Sequence, residues 1–220
     1  PHTRSGDQVA MTTNLCSRSS RLFGRNLINR IARRLQPSIK SYRSCSTAAA
    51  NEPHDLPTHA QVVIIGGGII GNSVAYHLAE MGVKDVLLLE RNRLTSGTTW
   101  HAAGLMVTFG SKSETSTEMR IYTRDLYSRL EAETGQSTGF MPVGFIELAT
   151  DKDRLEEYRR IAAFNRKCGV DVLEIGPRDV ESLFPLCRVD DVLAGFYVKE
   201  DGRVNPVDAA MALARGARAR

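Results

Sequence analysis

Three features of the sequence have residue types and spacing that could do chemistry. The first is Gly66-Gly-Gly-Ile-Ile-Gly71, a G-x-G-x-x-G loop. In such a loop Gly66 permits a tight turn, Gly68 lets the backbone approach a pyrophosphate, and Gly71 lets the following helix pack close to a sheet. Free N–H groups around Ile69 and Ile70, at the positive end of that helix, would meet the phosphate charge. The second feature is Glu90, 22 residues after Gly68 and placed to accept hydrogen bonds from adenosine ribose hydroxyls; its charge disfavours a 2′-phosphate. The third is the run Arg91–Leu105, rich in small and hydroxylated residues, in which Trp100, the only tryptophan, precedes His101. Such a run suits backbone lying against a flat ligand. The loop and the acid together point to a dinucleotide and leave FAD and NAD both open.

The elements that must position these groups follow from hydropathy. Gln61–Ile65 is a short apolar, β-branched run, the form of a central parallel strand buried on both faces. Asn72–Met81 places Val74, Ala75, Leu78 and Ala79 at helical spacing, and Gly82 suits the helix end. Asp85–Glu90 reads as the second strand, and this β–α–β context makes the glycine signature specific. Further on, 112–134 reads as a surface helix, with Met119, Tyr122, Leu126 and Leu130 at helical spacing. Phe140–Thr150 reads as a strand, Asp151–Cys168 and Pro177–Phe184 as helices, Leu193–Val198 as a strand, Asp201-Gly202 as a turn, and Val207–Ala219 as an Ala-rich helix. The expected fold class is α/β: a Rossmann-like βαβ domain over 61–220 that includes, from about residue 140, the start of a second, mixed-sheet region on the substrate side. The acid pairs Glu156-Glu157 and Asp190-Asp191 are read as solvated charges, and no metal site is expected.

Charge divides the chain of 220 residues. Residues 11–50 hold seven Arg, Lys40 and no acid, whereas residues 51–220 hold 20 basic and 24 acidic side chains, a net of −4. The mildly acidic body gives no electrostatic support to a nucleic-acid partner. The basic stretch has the composition of a mitochondrial transit peptide, and Phe23, Leu27, Ile28, Ile31 and Leu35 cluster within about 140° of a helical wheel. Cleavage is expected between Arg43 and Ala50, with 1–50 as targeting and upstream residues and 51–60 as a linker containing Pro53 and Pro57. No window reaches the roughly 18 uninterrupted apolar residues of a membrane span. The four cysteines show no C-x-x-C spacing, so neither a disulfide framework nor a zinc site is expected.

The glycine loop, Leu89-Glu90-Arg91 and above all Leu94-Thr-Ser-Gly-Thr-Thr-Trp-His-Ala-Ala-Gly-Leu105 resemble the mitochondrial sarcosine and dimethylglycine dehydrogenases, flavoenzymes of the D-amino-acid-oxidase-like superfamily. The similarity continues through Glu131–Gly135, Gly139–Ala149, Phe184–Leu186 and Ala194–Pro206. The resemblance implies FAD, bonded covalently through a ring nitrogen of His101. It implies that Gly97, Thr98, Thr99, Trp100, His101, Ala102, Ala103, Gly104 and Leu105 border the flavin, and that Glu90 and Arg91 hold the adenosine end. It further implies oxidation of an N-methyl group in the mitochondrial matrix, with sarcosine preferred to dimethylglycine. Electrons would pass to the electron-transfer flavoprotein, and a tetrahydrofolate site would lie beyond this chain, which is expected to be an N-terminal fragment and a poor enzyme alone. No catalytic residue is identified; Arg120 and Tyr122 are candidates for the substrate carboxylate without a motif behind them. The non-catalytic alternative is the regulatory subunit of pyruvate dehydrogenase phosphatase, which shares the fold but lacks the Trp-His pair.

Overall fold

The computed structural model describes residues 56–220. The transit-peptide reading and the first part of the linker fall outside the described residues; Leu56–Ala60 carry no helix or strand. Strand β1 (Val62–Ile65) leads through the glycine loop into helix α1 (Ile69–Glu80), and β2 (Val86–Leu89) returns parallel to β1, with Val62 opposite Val86 and Ile65 opposite Leu89. Gly82, at φ +85°, closes α1: its N–H donates to Ala79 O, and Val83 N–H donates to Leu78 O. These bonds satisfy carbonyls that the helix end would otherwise leave open.

The expectation that β1 is buried on both faces does not hold for the described residues. Ile64 is buried, but Val63 is 51% and Ile65 88% exposed. The cause is the strand's two-residue alternation: Ile64 lies on the face α1 covers, where its Cγ2 would stand 3.3 Å from a Cβ on Gly71, and the odd-numbered neighbours face the other way.

After β2 the chain makes a single 3-10 turn (Thr98–His101) and a two-residue strand β3 (Leu105–Met106), then the long helix α2 (Glu114–Thr134). Ser113 caps α2 through its hydroxyl, and Gly135, at φ +66°, ends it. Inward positions are Leu126, Tyr127 and Leu130, whereas Met119 is 66% exposed. The chain continues as β4 (Phe145–Ala149), α3 (Lys152–Lys167), β5 (Leu173–Ile175), α4 (Pro177–Leu183), β6 (Ala194–Val198), β7 (Gly202–Arg203) and α5 (Pro206–Ala219). The expected strand over Phe140–Thr150 is shorter, because Gly144 turns at φ +84° and Met141 instead bridges to Arg203. The short strands β3, β5 and β7 are additional to those expected.

Two cores result. In one, β4, β6 and β5 form an antiparallel sheet in the order β4-β6-β5. Phe196, Val198 and Ala149 on that sheet pack with Ile161 and Ala162 of α3 and with Phe109. In the other, Tyr76 of α1, Leu126 and Leu130 of α2, and Ala209, Ala212 and Leu213 of α5 are packed together. The alanines of α5 let it lie close to α1: a Cβ on Gly216 would stand 2.7 Å from the Tyr76 ring. This contact ties the far end of the chain to the helix that carries the glycine loop.

Candidate functional site

The loop between β1 and α1 is shaped by its glycines. Gly66 sits at φ +107°, a conformation that side chains disfavour. A Cβ on Gly71 would stand 1.9 Å from Gly66 O, so the first turn of α1 touches the loop it follows. Gly68 is the helix N-cap and offers no side-chain cap. Among the described residues the amides of Gly68 and Ile70 have no hydrogen-bond partner. The amide of Ile69, expected to be free, is taken: it donates to Thr99 Oγ1 at 2.9 Å. The hydroxyl that caps α1 thus comes from the Thr98–His101 turn, thirty residues away in sequence, because the glycine at the N-cap has none to give.

Three further ties hold the loop, and sequence reasoning found none of them. Asn72, only 1% exposed, donates from Nδ2 to Gly67 O at 2.9 Å and to Gly68 O at 3.0 Å. Its signal was a polar residue in an apolar first turn, directly after the signature, where a short amide can reach back to the loop carbonyls. Thr95, buried and at φ +70°, donates its N–H to Gly67 O at 2.9 Å. A β-branched residue in that region costs about 1–2 kcal/mol, which the bond to the loop helps to offset. The third tie is Glu90 itself. Its Oε2 accepts from Gly67 N–H at 2.8 Å and its Oε1 from Asn92 N–H at 2.9 Å. These N–H groups hold its carboxyl below the ordinary glutamate pKa. Each oxygen keeps acceptor capacity for a ribose hydroxyl, so the structural tie and the binding role are compatible.

The remaining site residues form one continuous edge. Gly97 precedes the Thr98–His101 turn, and His101 Nδ1 lies 3.1 Å from Gly97 O. A carbonyl can only accept, so in this contact Nδ1 carries the hydrogen, and Nε2 makes no hydrogen bond among the described residues. The His101 ring is exposed and contacts Trp100, 59% exposed, with centroids 4.4 Å apart. Arg91, Thr98, Ala102 and Ala103 are also exposed or half-exposed. Gly104, at φ +74°, brings its backbone against β7, where a Cβ would stand 2.2 Å from Val204 O. Leu105 then opens β3, opposite Arg203. Next to this pairing, Asp201 is fully buried and accepts Thr108 N–H and Thr108 Oγ1–H, both at 2.7 Å. Burial pushes its carboxyl up in pKa against those two bonds.

The candidates Arg120 and Tyr122 are structural. Arg120 donates to Phe109 O at 2.8 Å, and Tyr122 OH meets His77 Nε2 at 2.8 Å. Glu156 pairs with Arg159, and Glu157 pairs with Lys112 and Arg154, all on or beside α3 and none of them in the cradle. Among the described residues no group of His, Cys, Asp and Glu is arranged to hold a metal ion, and no helix is long and apolar enough to cross a membrane.

The site fits a dinucleotide on three structural observations: unpartnered amides at a helix N-terminus, a loop–helix approach that a Cβ would block, and a carboxylate fixed at the loop with lone pairs to spare. The chain matches the FAD dependent oxidoreductase (DAO) family over residues 61–220. It is 40% identical to human mitochondrial sarcosine dehydrogenase over 84% of this chain and 20% of that protein. It is 43% identical to rat mitochondrial dimethylglycine dehydrogenase over 76% of this chain and 19% of that protein. It is 43% identical to the mouse mitochondrial pyruvate dehydrogenase phosphatase regulatory subunit over 80% of this chain and 20% of that protein. Among solved structures, L-proline dehydrogenase from P. horikoshii superposes with a TM-score of 0.70 at 27% identity, covering 74% of this chain and 43% of that one. The chain spans about one fifth of the length of these curated relatives. With the cradle and the family match in agreement, the chain belongs to the FAD-dependent oxidoreductase family.

Proposed function

We propose that the full-length protein is a mitochondrial FAD-dependent dehydrogenase that oxidises the N-methyl group of a small amino acid, sarcosine ahead of dimethylglycine. The observation that carries this reading is the exposed Trp100–His101 pair beside the glycine cradle, with Nδ1 held by Gly97 O and Nε2 free. Similarity to the two N-methyl amino-acid dehydrogenases supports the choice of substrate class.

In this reading the amides of Gly68 and Ile70 and the positive end of α1 receive the pyrophosphate. Glu90 orients the adenosine ribose with Arg91 beside it, and Gly97–Leu105 border the flavin. His101 Nε2 is the covalent attachment point, which prevents loss of the cofactor. Held there, FAD supplies a two-electron acceptor for the hydride that leaves the N-methyl carbon. The iminium so formed would be hydrolysed by water to formaldehyde and the demethylated amino acid, or would give its carbon to tetrahydrofolate, and the electron-transfer flavoprotein in the matrix would be the electron acceptor.

The test is anaerobic addition of sarcosine or dimethylglycine to the purified full-length protein. Bleaching of the visible flavin absorption by one of them, with product glycine or sarcosine respectively, is the expected result. A yellow protein that stays oxidised with both would contradict the dehydrogenase reading and favour a non-catalytic role like that of the phosphatase regulatory subunit, to which the chain is equally similar.

A further inference from the structure

The chain passes between the two cores three times at one neck. Met106 packs on the helical core, and Phe109, three residues on, is buried in the sheet core. Thr138 donates its hydroxyl to the carbonyl of Tyr127 in the helical core, and Phe145 packs on the sheet core. Val198 belongs to the sheet core, and Val204 packs on the helical one. The ribbon of β3 and β7 lies in this neck and is two pairs long, Leu105 with Arg203 and Met106 with Gly202. Backbone pairing of that length specifies register weakly, although a slip of one residue would turn every side chain of β3 to the other face.

Asp201 sits where the three segments cross. Its two carboxylate oxygens take the main-chain N–H and the hydroxyl of the buried Thr108, both at 2.7 Å. Its own carbonyl accepts Gly144 N–H at 2.8 Å, so one residue is bonded to both of the other segments. The fit around it is tight: a Cβ on the next residue, Gly202, would stand 2.0 Å from Met141 O. Among the described residues Asp201 is the only buried carboxylate. The cation that acts on it, Arg124 of α2, is itself hydrogen-bonded to Asp125. Apolar side chains would join two cores at a lower desolvation cost. They would not fix which residue of one segment faces which residue of the other, whereas two directional bonds to a single residue do.

We propose that Asp201 is a positioning residue: by clasping Thr108 it fixes the register of β3 against β7, and with it the placement of the flavin border at Gly104 and Leu105 relative to the antiparallel sheet. This rests on the reading of the protein as a flavin dehydrogenase with that sheet on the substrate side. The flavin is held by the cradle on the helical core, and the substrate meets it from the other core, so their spacing is set at the neck. Gly104 O accepts Val204 N–H, which carries the fixed register directly into the segment that follows His101. Slack of a fraction of an ångström between donor carbon and flavin slows transfer without weakening binding in proportion.

The test compares the full-length holoenzyme with Thr108→Val, which removes the hydroxyl bond and keeps the N–H bond, and Thr108→Ser, which keeps both. Thr108→Ala, which also lacks the hydroxyl and adds no atom, replaces the valine variant if that does not fold. Turnover gives kcat and KM separately, and visible circular dichroism reads the surroundings of the bound flavin without turnover. Thr108→Val is expected to lower kcat about tenfold, to change KM by less than about threefold, and to alter the flavin dichroism at unchanged flavin content. Thr108→Ser should restore both kcat and the spectrum. A wild-type kcat or a wild-type spectrum in Thr108→Val would overturn the proposal, even with a lowered unfolding midpoint, because the clasp would then serve stability alone. Loss of flavin in Thr108→Val, or no restoration by serine, would overturn it as well. If the wild-type protein turns over neither substrate, the dehydrogenase reading falls and the dichroism decides: a change in Thr108→Val that Thr108→Ser reverses keeps the positioning role, and an unchanged spectrum removes it.

Discussion

Gly71→Ala is expected to reduce bound flavin to less than about a tenth of the wild-type content and to destabilise the fold by about 3 kcal/mol. The alanine Cβ would stand 1.9 Å from Gly66 O, 3.1 Å from Gly66 C and 3.3 Å from Ile64 Cγ2. The first two are backbone atoms of a turn already committed to φ +107°, so no side-chain rotation relieves the clash. Helix α1 must move away from β1, carrying the amides of Gly68 and Ile70 with it, and Thr99 then loses its bond to Ile69. Gly176→Ala is the control, because it lies outside the cradle, a Cβ there meets only Asp179 Oδ2 at 3.7 Å, and its φ is −81°. Flavin-to-protein absorbance ratio and thermal unfolding of the full-length variants give the readout. Full flavin content with an unchanged unfolding midpoint in Gly71→Ala would refute the packing argument.

Asn72→Asp should be the next most damaging change at the site, although it alters one atom group and no volume. The wild-type amide donates to two carbonyl oxygens at 2.9 and 3.0 Å from a position that is 1% exposed. A carboxylate there has no hydrogen to donate, faces both oxygens, and adds negative charge beneath a loop proposed to receive a pyrophosphate. In a His101→Ala background, where retention reports affinity rather than a covalent bond, FAD affinity should fall by about 100-fold at neutral pH. The buried carboxyl would be raised in pKa by burial and by the carbonyls. Its protonated form can donate to one of them, so affinity should partly return as the pH is lowered. Asn72→Leu, which loses both bonds without introducing charge, should lose affinity by about tenfold with no recovery at low pH. A pH-independent loss in Asn72→Asp would mean that the residue merely fills space.

The parts of the site legible in the sequence are those set by local chemistry. Gly66 and Gly71 announce a tight turn and a close helix, one through its positive φ and the other through contact with backbone, and Glu90 follows at the end of the next apolar run. The helices α3 and α5 are likewise readable from periodicity, and the structure adds their caps, Asp151 and Asn205. What was not legible depends on pairs distant in sequence. Thr99 capping Ile69, Thr95 reaching Gly67 and Asn72 clamping the loop are each ordinary polar residues until the chain is folded. Strands β3 and β7 are two residues each and have no periodicity to detect. Arg120 and Tyr122 illustrate the converse: polar side chains near the right place in sequence that turn out to be satisfied by a carbonyl and a histidine.

The most direct test of the account is a denaturing gel of the full-length protein, expressed with riboflavin and viewed under ultraviolet light, run beside His101→Ala. With Nδ1 facing Gly97 O, His101 Nε2 is the proposed attachment atom, on an exposed ring at the edge of the cradle. The account predicts a fluorescent band at the protein's position that survives denaturation and is absent from His101→Ala, while the variant still binds FAD before denaturation. A folded wild-type protein with no fluorescent band, or a band that persists in His101→Ala, would contradict it.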